Sequence, residues 1–205
     1  KLLDRRIGLY PETKHPTYFD RLGFPLEEPL VKVLRRNGYE GRNAQVFIQS
    51  FEINNLRKLK GMTRIPLVQL LWIEGKPYDV EAGGGTLTYE QMATPAGLAQ
   101  IASYAKGVGP EKRFIIPLDS AGNLNLSSTT RFVQDAHAVG LQVHPYTFRS
   151  ENVFLPSNFK SSSDPNALGD GAGEIKVFLR TGIDGFFTDQ TDRGIVARDA
   201  FLKNQ

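Results

Sequence analysis

Residues 45–72 read QVFIQSFEINNLRKLKGMTRIPLVQLLW, and the change of period along them points to one architecture. Residues 45–50 are rich in β-favouring side chains and predict a strand. From 53 to 60, Leu56 and Leu59 share an apolar side while Arg57, Lys58 and Lys60 lie outside, which predicts a helix stopped by Gly61. Residues 66–72 then give a strand in which VQLLW is nearly all apolar, as a parallel strand covered on both faces should be. Strand, helix and apolar strand in succession make a βα unit of a parallel sheet.

The same rhythm extends outward in both directions. Ile7-Gly8-Leu9-Tyr10 is a strand-like run, followed by a proline-rich loop and a helix over 29–37. Pro29 suits its first turn, Leu30, Val33 and Leu34 share one face, and Asn37-Gly38 is the stop. Beyond Trp72, residues 75–94 look irregular, an excursion containing Gly83-Gly84-Gly85. A helix over 95–104 follows, broken by Gly107-Val108-Gly109-Pro110, and a short apolar stretch over 114–118 has no assigned role. A helix over 129–139, capped by Ser128 or Thr129 and stopped by Gly140, leads into a strand over 141–147. A polar, glycine-rich loop (150–173), a short helix (174–180), a last strand (182–188) and a terminal helix (193–202) complete the pattern. The fold class is α/β with a parallel sheet, either an open doubly wound sheet or a closed barrel. About five βα units are present where a closed (β/α)₈ barrel needs eight, so a barrel is expected to be incomplete.

Composition narrows the possible functions. The chain has 205 residues, 40% hydrophobic and 23% charged, enough for one well-cored domain. With 25 basic against 22 acidic side chains the net charge is only +3, too even for a nucleic-acid binder. The absence of cysteine excludes disulfides, a thiol nucleophile and cysteine-ligated metal. No apolar run approaches the roughly 20 residues of a transmembrane helix. Residues 1–7 carry no signal-peptide pattern and run straight into strand-like sequence, so the chain is expected to begin at a cut.

Ligands of parallel α/β folds gather beyond the C-terminal ends of the strands. After the first run, Glu12 and Lys14 stand two apart and in extended backbone project to one side. They can hold a metal ion and a phosphate oxygen, or form a surface ion pair. After the next strand, Ser50 lacks a nucleophile elbow, and Ser50 or Glu52 helping to start the following helix is the simpler role. Arg149 follows the strand over 141–147, and its planar fork suits a phosphate. His144 reads as a structural histidine, and neither His15 nor His137 has metal-motif spacing. Asp189 either orients a site group or caps the terminal helix. Gly83–Gly85 and the 169–173 stretch GDGAG lack phosphate-loop patterns and read as loops, and Arg57, Lys58, Lys60 and Arg64 read as a solvated helix face.

Four of these segments, in order, carry a resemblance. Ile7-Gly8-Leu9-Tyr10-Pro11-Glu12-Thr13-Lys14, Gly107-Val108-Gly109-Pro110, Val143-His144-Pro145-Tyr146-Thr147-Phe148-Arg149 and Gly182-Ile183-Asp184-Gly185-Phe186-Phe187-Thr188-Asp189 resemble stretches of the glycerophosphodiester phosphodiesterases, especially the bacterial periplasmic type. The resemblance implies a (β/α)₈ barrel of which residues 1–205 are the C-terminal part of a single domain. It implies metal-dependent hydrolysis of a small-molecule glycerophosphodiester to glycerol 3-phosphate and an alcohol, with calcium typical and magnesium used elsewhere. It casts Glu12 as a metal ligand, Lys14 as a phosphate contact, and Tyr146 and Arg149 as neighbours of the substrate. Thr13 stands where the family usually has Ile, and His15 where it often has Ala.

The family's His-Arg-Gly motif, its Glu-x-Asp ligand pair and its second catalytic histidine precede the first of these segments and are not in this sequence. No catalytic residue is therefore assigned, and the 205-residue chain is expected to bind metal weakly and turn over nothing. Glu12 alone cannot hold a calcium ion, which takes six to eight oxygens. The alternatives are a non-catalytic relative that binds a phosphorylated ligand or a partner, and, less well matched at Tyr146–Arg149, a barrel phospholipase D acting on sphingolipids. A periplasmic or secreted location is implied by the resemblance alone.

Overall fold

The structure, a computed structural model, describes residues 7–203 and divides into two compact units. Residues 1–6, on which the expected cut start falls, lie outside the described residues.

The first unit comprises residues up to Gly109 together with Val139–Leu141. Its elements are α1 (Pro16–Arg21), α2 (Glu27–Arg36), β1 (Ile48–Ser50), α3 (Ile53–Met62), β2 (Leu67–Leu71), α4 (Tyr78–Ala82), α5 (Tyr89–Met92), α6 (Pro95–Ala102) and most of β3 (Gly107–Pro110). The run near the N-terminus lies parallel to the segment leading into β1, with Leu9 bridging Val46 and Glu12 bridging Gln49. β1 pairs in parallel with β2, from Ile48 opposite Leu67 to Ser50 opposite Gln69, and β3 is the next neighbour of β2. All five residues of β2 are buried, as its uniform apolarity requires. Leu56 and Leu59 of α3 and Leu98 of α6 are fully buried, so the helical apolar positions make the core with Ile48, Val68 and Leu71.

Three expectations are corrected in this unit. Gly61 does not stop its helix, because its φ is not positive; α3 runs to Met62 and ends where Thr63 turns extended. Residues 75–94 hold two short helices, α5 being fixed by a capping box in which Thr88 and Gln91 satisfy each other's backbone N–H. Gly107-Val108-Gly109-Pro110 is a strand rather than a break, with all four residues buried. Glycine and proline disguise it, but the Lys106 N–H already donates to the Leu67 carbonyl at 2.8 Å, and pairing outweighs propensity. Gly97 in α6 has backbone pressed against it: a Cβ there would lie 2.4 Å from the carbonyl oxygens of Gln91 and Met92. Gly97→Ala is accordingly expected to cost about 1–3 kcal/mol, read as a lower urea midpoint at unchanged slope.

The second unit comprises Pro110–Ala138 and the residues from Gln142 onward. It contains α7 (Phe132–Ala138), β4 (Gln142–Val143), α8 (Gly171–Leu179) and α9 (Thr191–Leu202), with 3₁₀ turns at Lys112–Phe114, Leu126–Ser128, Asn152–Phe154 and Ser157–Phe159. The segments 143–148 and 184–188 run in parallel: Asp184 N–H donates to the Val143 carbonyl, Phe187 N–H to Pro145 and Phe148 N–H to Phe187, at 2.8–3.0 Å. Glu111 bridges Tyr146 in the same sense. Ile115 and Ile116, whose stretch had no assigned role, are fully buried. Phe148 and Phe178 meet edge to face at 5.0 Å in this core.

Here too boundaries move. The helix expected over 129–139 starts at Phe132, whose N–H is accepted by the Thr130 hydroxyl; Thr130 itself is tied to Phe114 and Ile115. Neither Ser128 nor Thr129 caps it, because both are drawn into the turn at Leu126–Ser128 or its exit. The helix expected over 174–180 begins at Gly171, inside the stretch read as loop. Asp170 caps it by accepting the Gly173 N–H at 2.8 Å, and Gly171 permits close approach, since a Cβ there would stand 2.4 Å from the Ser150 hydroxyl. Among the described residues no helix is long and apolar enough to cross a membrane.

Candidate functional site

The candidate residues fall into two groups, Glu12 and Lys14 in the first unit and Tyr146 and Arg149 in the second. Thr13, between the first pair, is buried and donates its hydroxyl to Asn55 Oδ1 at 2.6 Å. Asn55 donates in turn to Glu27, which pairs with Lys58. Thr13 therefore has a polar network built for it, as a buried hydroxyl needs. This network anchors the backbone between Glu12 and Lys14 to α3.

With Thr13 turned that way, alternation puts Glu12 on the opposite face, alongside its bridge partner Gln49. Glu12 Oε1 and Gln49 Oε1 are both buried, and neither has a hydrogen-bond partner. A buried carboxylate oxygen left without a donor is costly, so this pair suits a positive ligand. Two oxygens match the donor chemistry of a hard divalent cation but are a partial set. Among the described residues no three His, Cys, Asp or Glu side chains stand together as a metal site. Lys14 is exposed, and no ion pair joins it to Glu12, so the surface ion-pair role is not the one adopted.

Ser50 is structural, but neither it nor Glu52 caps the following helix α3 as expected, since Asp79 takes its first-turn N–H. The Ser50 hydroxyl donates to the Thr13 carbonyl at 3.0 Å and accepts the Glu52 N–H at 3.2 Å. Glu52 accepts the Thr17 N–H at the start of α1, and Asp79 accepts the Asn54 N–H in the first turn of α3. Burial pushes the Glu52 carboxyl up, against the lowering effect of the Thr17 bonds, and nearby Asp79 adds to the rise. A cavity of about 540 Å³ in this unit is lined by Arg35, Glu40, Lys60 and Arg64. It lies at the C-terminal ends of α2 and α3, where Arg35 donates to the Met62 carbonyl and Lys60 to the Ser103 carbonyl. Those cations satisfy carbonyls rather than await an anion.

In the second unit, Tyr146 is held by its backbone, its N–H donating to Pro110 and its carbonyl accepting from Lys112. Arg149 is the better-defined group. Its Nε donates to Asp189 Oδ2 at 2.5 Å, and its guanidinium carbon lies 4.6 Å from the centroid of the Phe154 ring. Neither terminal amino group has a partner among the described residues, which leaves a planar fork for a phosphate. Asp189 is thus an orienting group; α9 has Gln190 at its cap position and no side-chain capping bond.

Sequence reasoning missed two features here. Phe154 sits in a stretch read only as loop. Lys112 forms an ion pair with Glu174 at 2.6 Å, with Glu174 fully buried and its second oxygen unpartnered. Burial pushes the Glu174 carboxyl up, Lys112 opposes the rise, and Glu111 adds to it. The only signal for Lys112 was its place just beyond Gly107-Val108-Gly109-Pro110; the 62-residue separation from Glu174 hid the pairing. The histidines do not assemble. His144 is buried against Gly185, and burial pushes its pKa down despite the opposing charge of Asp184; His137 pairs with Asp184 at 2.9 Å; His15 opens α1 in the other unit.

Residues 3–193 match the model of the glycerophosphoryl diester phosphodiesterase family. A glycerophosphodiester phosphodiesterase of Arabidopsis thaliana is 33% identical over 91% of this chain and 50% of its own length. One of Haemophilus influenzae is 29% identical over 95% of this chain and 53% of its own length. The chain thus spans about half the length of these curated relatives. A crystal structure from Agrobacterium tumefaciens, assigned as a glycerophosphoryl diester phosphodiesterase, superposes with a TM-score of 0.54 at 14% identity, over 98% of this chain and 61% of its own. One from Silicibacter pomeroyi, with the same assignment, gives 0.52 at 17%, over 86% and 43%. At such identities the likeness is one of fold, and it bears out the α/β, (β/α)₈-barrel class expected from the sequence.

Proposed function

Because the chain belongs to the glycerophosphoryl diester phosphodiesterase family, we propose that it supplies the phosphate-binding side and part of the cation site of an enzyme that hydrolyses glycerophosphodiesters to glycerol 3-phosphate and an alcohol. The observation that carries this reading is the buried, unpartnered oxygen of Glu12 beside that of Gln49 at a strand end. Glu12, with Gln49 alongside, would hold a calcium or magnesium ion. When bound, such an ion neutralises charge on a phosphoryl oxygen. Lys14 offers an exposed ammonium two residues on, and Arg149 offers the paired donors of its fork. Tyr146 lies in the segment that carries Arg149 and takes a lesser part.

Acid–base work on the attacking and leaving oxygens needs positioned groups, usually histidines. His144 is buried, His137 is engaged with Asp184, and none of His15, His137 and His144 matches the catalytic positions that the resemblance implies, so the 205-residue chain alone is inactive on this reading. A periplasmic or secreted setting, and a place in glycerol and lipid metabolism, accord with the resemblance to the bacterial periplasmic members. Calcium titrated calorimetrically into the 205-residue chain is expected to bind weakly, with Kd about 10⁻⁴–10⁻³ M, and Glu12→Gln to remove the binding. Unchanged binding by Glu12→Gln would contradict the assignment of Glu12.

A further inference from the structure

The guanidinium of Arg149 is fixed by two groups, a carboxylate at its edge and a phenyl ring at its face. Asp189 takes Nε, and the guanidinium carbon lies over the Phe154 ring, 4.6 Å from its centroid. We infer that Phe154 is a positioning residue for phosphate binding: its ring holds the guanidinium plane so that both terminal amino groups present a fixed fork. The inference rests on the phosphate role proposed above for Arg149.

Phe154 remains 45% exposed, so packing alone is a weak reason for a phenyl ring here. The loop that carries it is nevertheless tightly tied. Asn152, 1% exposed, donates to the Ser162 and Asp164 carbonyls at 3.1 and 2.8 Å and accepts the Ser161 N–H at 3.0 Å. The Phe154 N–H donates to the Glu151 carbonyl at 2.9 Å. Both carboxylate oxygens of Glu151 accept from Gln190 Nε2 at 3.0 Å, and Gln190 directly follows Asp189. Face and edge supports of Arg149 are therefore joined to each other through Glu151 and Gln190. The Lys112 ammonium, paired with Glu174, lies 3.5 Å from the Phe154 carbonyl and steadies the same turn.

A free arginine side chain loses rotamer entropy when it grips an anion; one already held in plane loses less. A cation–π contact at a partly exposed site also contributes directly. Together these predict a measurable but moderate effect on anion affinity, with none on the fold.

The test is glycerol 3-phosphate titrated into the 205-residue chain, followed by the NMR shift of the Arg149 Nε–H. Phe154→Leu is expected to weaken binding about two- to fivefold, and Phe154→Trp, which restores a π face, to return it to the wild-type value. Arg149→Lys, which lacks the fork, is expected to weaken it about tenfold or more. Thermal midpoints within a degree or so of wild type for the Phe154 variants confirm that the change is local. If Arg149→Lys weakens binding and Phe154→Leu does not, the positioning role falls while the phosphate reading stands. If Arg149→Lys binds like wild type, the phosphate reading fails and takes the inference with it. Equal loss in Phe154→Leu and Phe154→Trp also overturns the role of the π face.

Discussion

Lys112→Met is expected to destabilise the protein by about 3–5 kcal/mol near neutral pH, because it leaves the Glu174 charge buried without its partner. Glu174 is fully buried, one of its oxygens has no hydrogen bond, and Lys112 is the cation that meets the other at 2.6 Å. The effect carries a pH signature. Burial already holds the Glu174 carboxyl above its ordinary range, and removing Lys112 removes the influence that opposes this rise. A carboxyl raised in the folded state favours folding below its unfolded pKa, about 4.3; that contribution is lost as pH rises through the folded value. The penalty in Lys112→Met should therefore be small below about pH 4 and grow with pH above it. Glu174→Gln added to Lys112→Met is expected to restore much of the loss, since a neutral pair leaves no buried charge. Urea denaturation of the single and double variants across that range measures both. A loss independent of pH would mean that Lys112 acts through packing on Phe148, over which its ammonium lies at 5.3 Å.

The second large effect concerns Glu12. With the family's preceding His-Arg-Gly segment joined ahead of it, the chain is expected to release glycerol 3-phosphate, and Glu12→Gln to slow that release at least about 100-fold. Even changes to residues that only hydrogen-bond a metal's ligands cost about 10–100-fold in affinity or activity, and a lost carboxylate ligand costs no less. Raising calcium should recover part of the rate, because glutamine keeps one oxygen in place. A coupled dehydrogenase assay at several calcium concentrations reads both the rate and its recovery. Full rate at low calcium in the variant would remove Glu12 from the cation site.

Much of this was visible in the sequence because the parallel sheet writes itself in apolar runs. The fully buried β2 follows from VQLLW, and α3 from the spacing of Leu56 and Leu59. What escaped notice lay where glycine stands for close packing rather than for a turn. β3 hides in Gly107-Val108-Gly109-Pro110, and α8 begins in Gly171-Ala172-Gly173 because Ser150 leaves no room for a side chain. The site divides in a similar way. Glu12, Lys14 and Arg149 lie beyond strand-like runs, which brought them into view, and the resemblance then gave each its expected role. Asp189 had two roles open, and only the position of the Arg149 guanidinium separates them. Phe154 and Glu174 could not be found, since their partners are fixed by the return path of the chain rather than by spacing along it.

The proposed function gives these residues phosphate-binding and cation-binding roles without an acid–base pair. It is tested most directly by assaying glycerol 3-phosphate release from glycerophosphocholine, in calcium, by the 205-residue chain alone and by the joined protein. No turnover by the chain and calcium-dependent turnover by the joined protein is the result predicted. Robust release by the chain alone would contradict it.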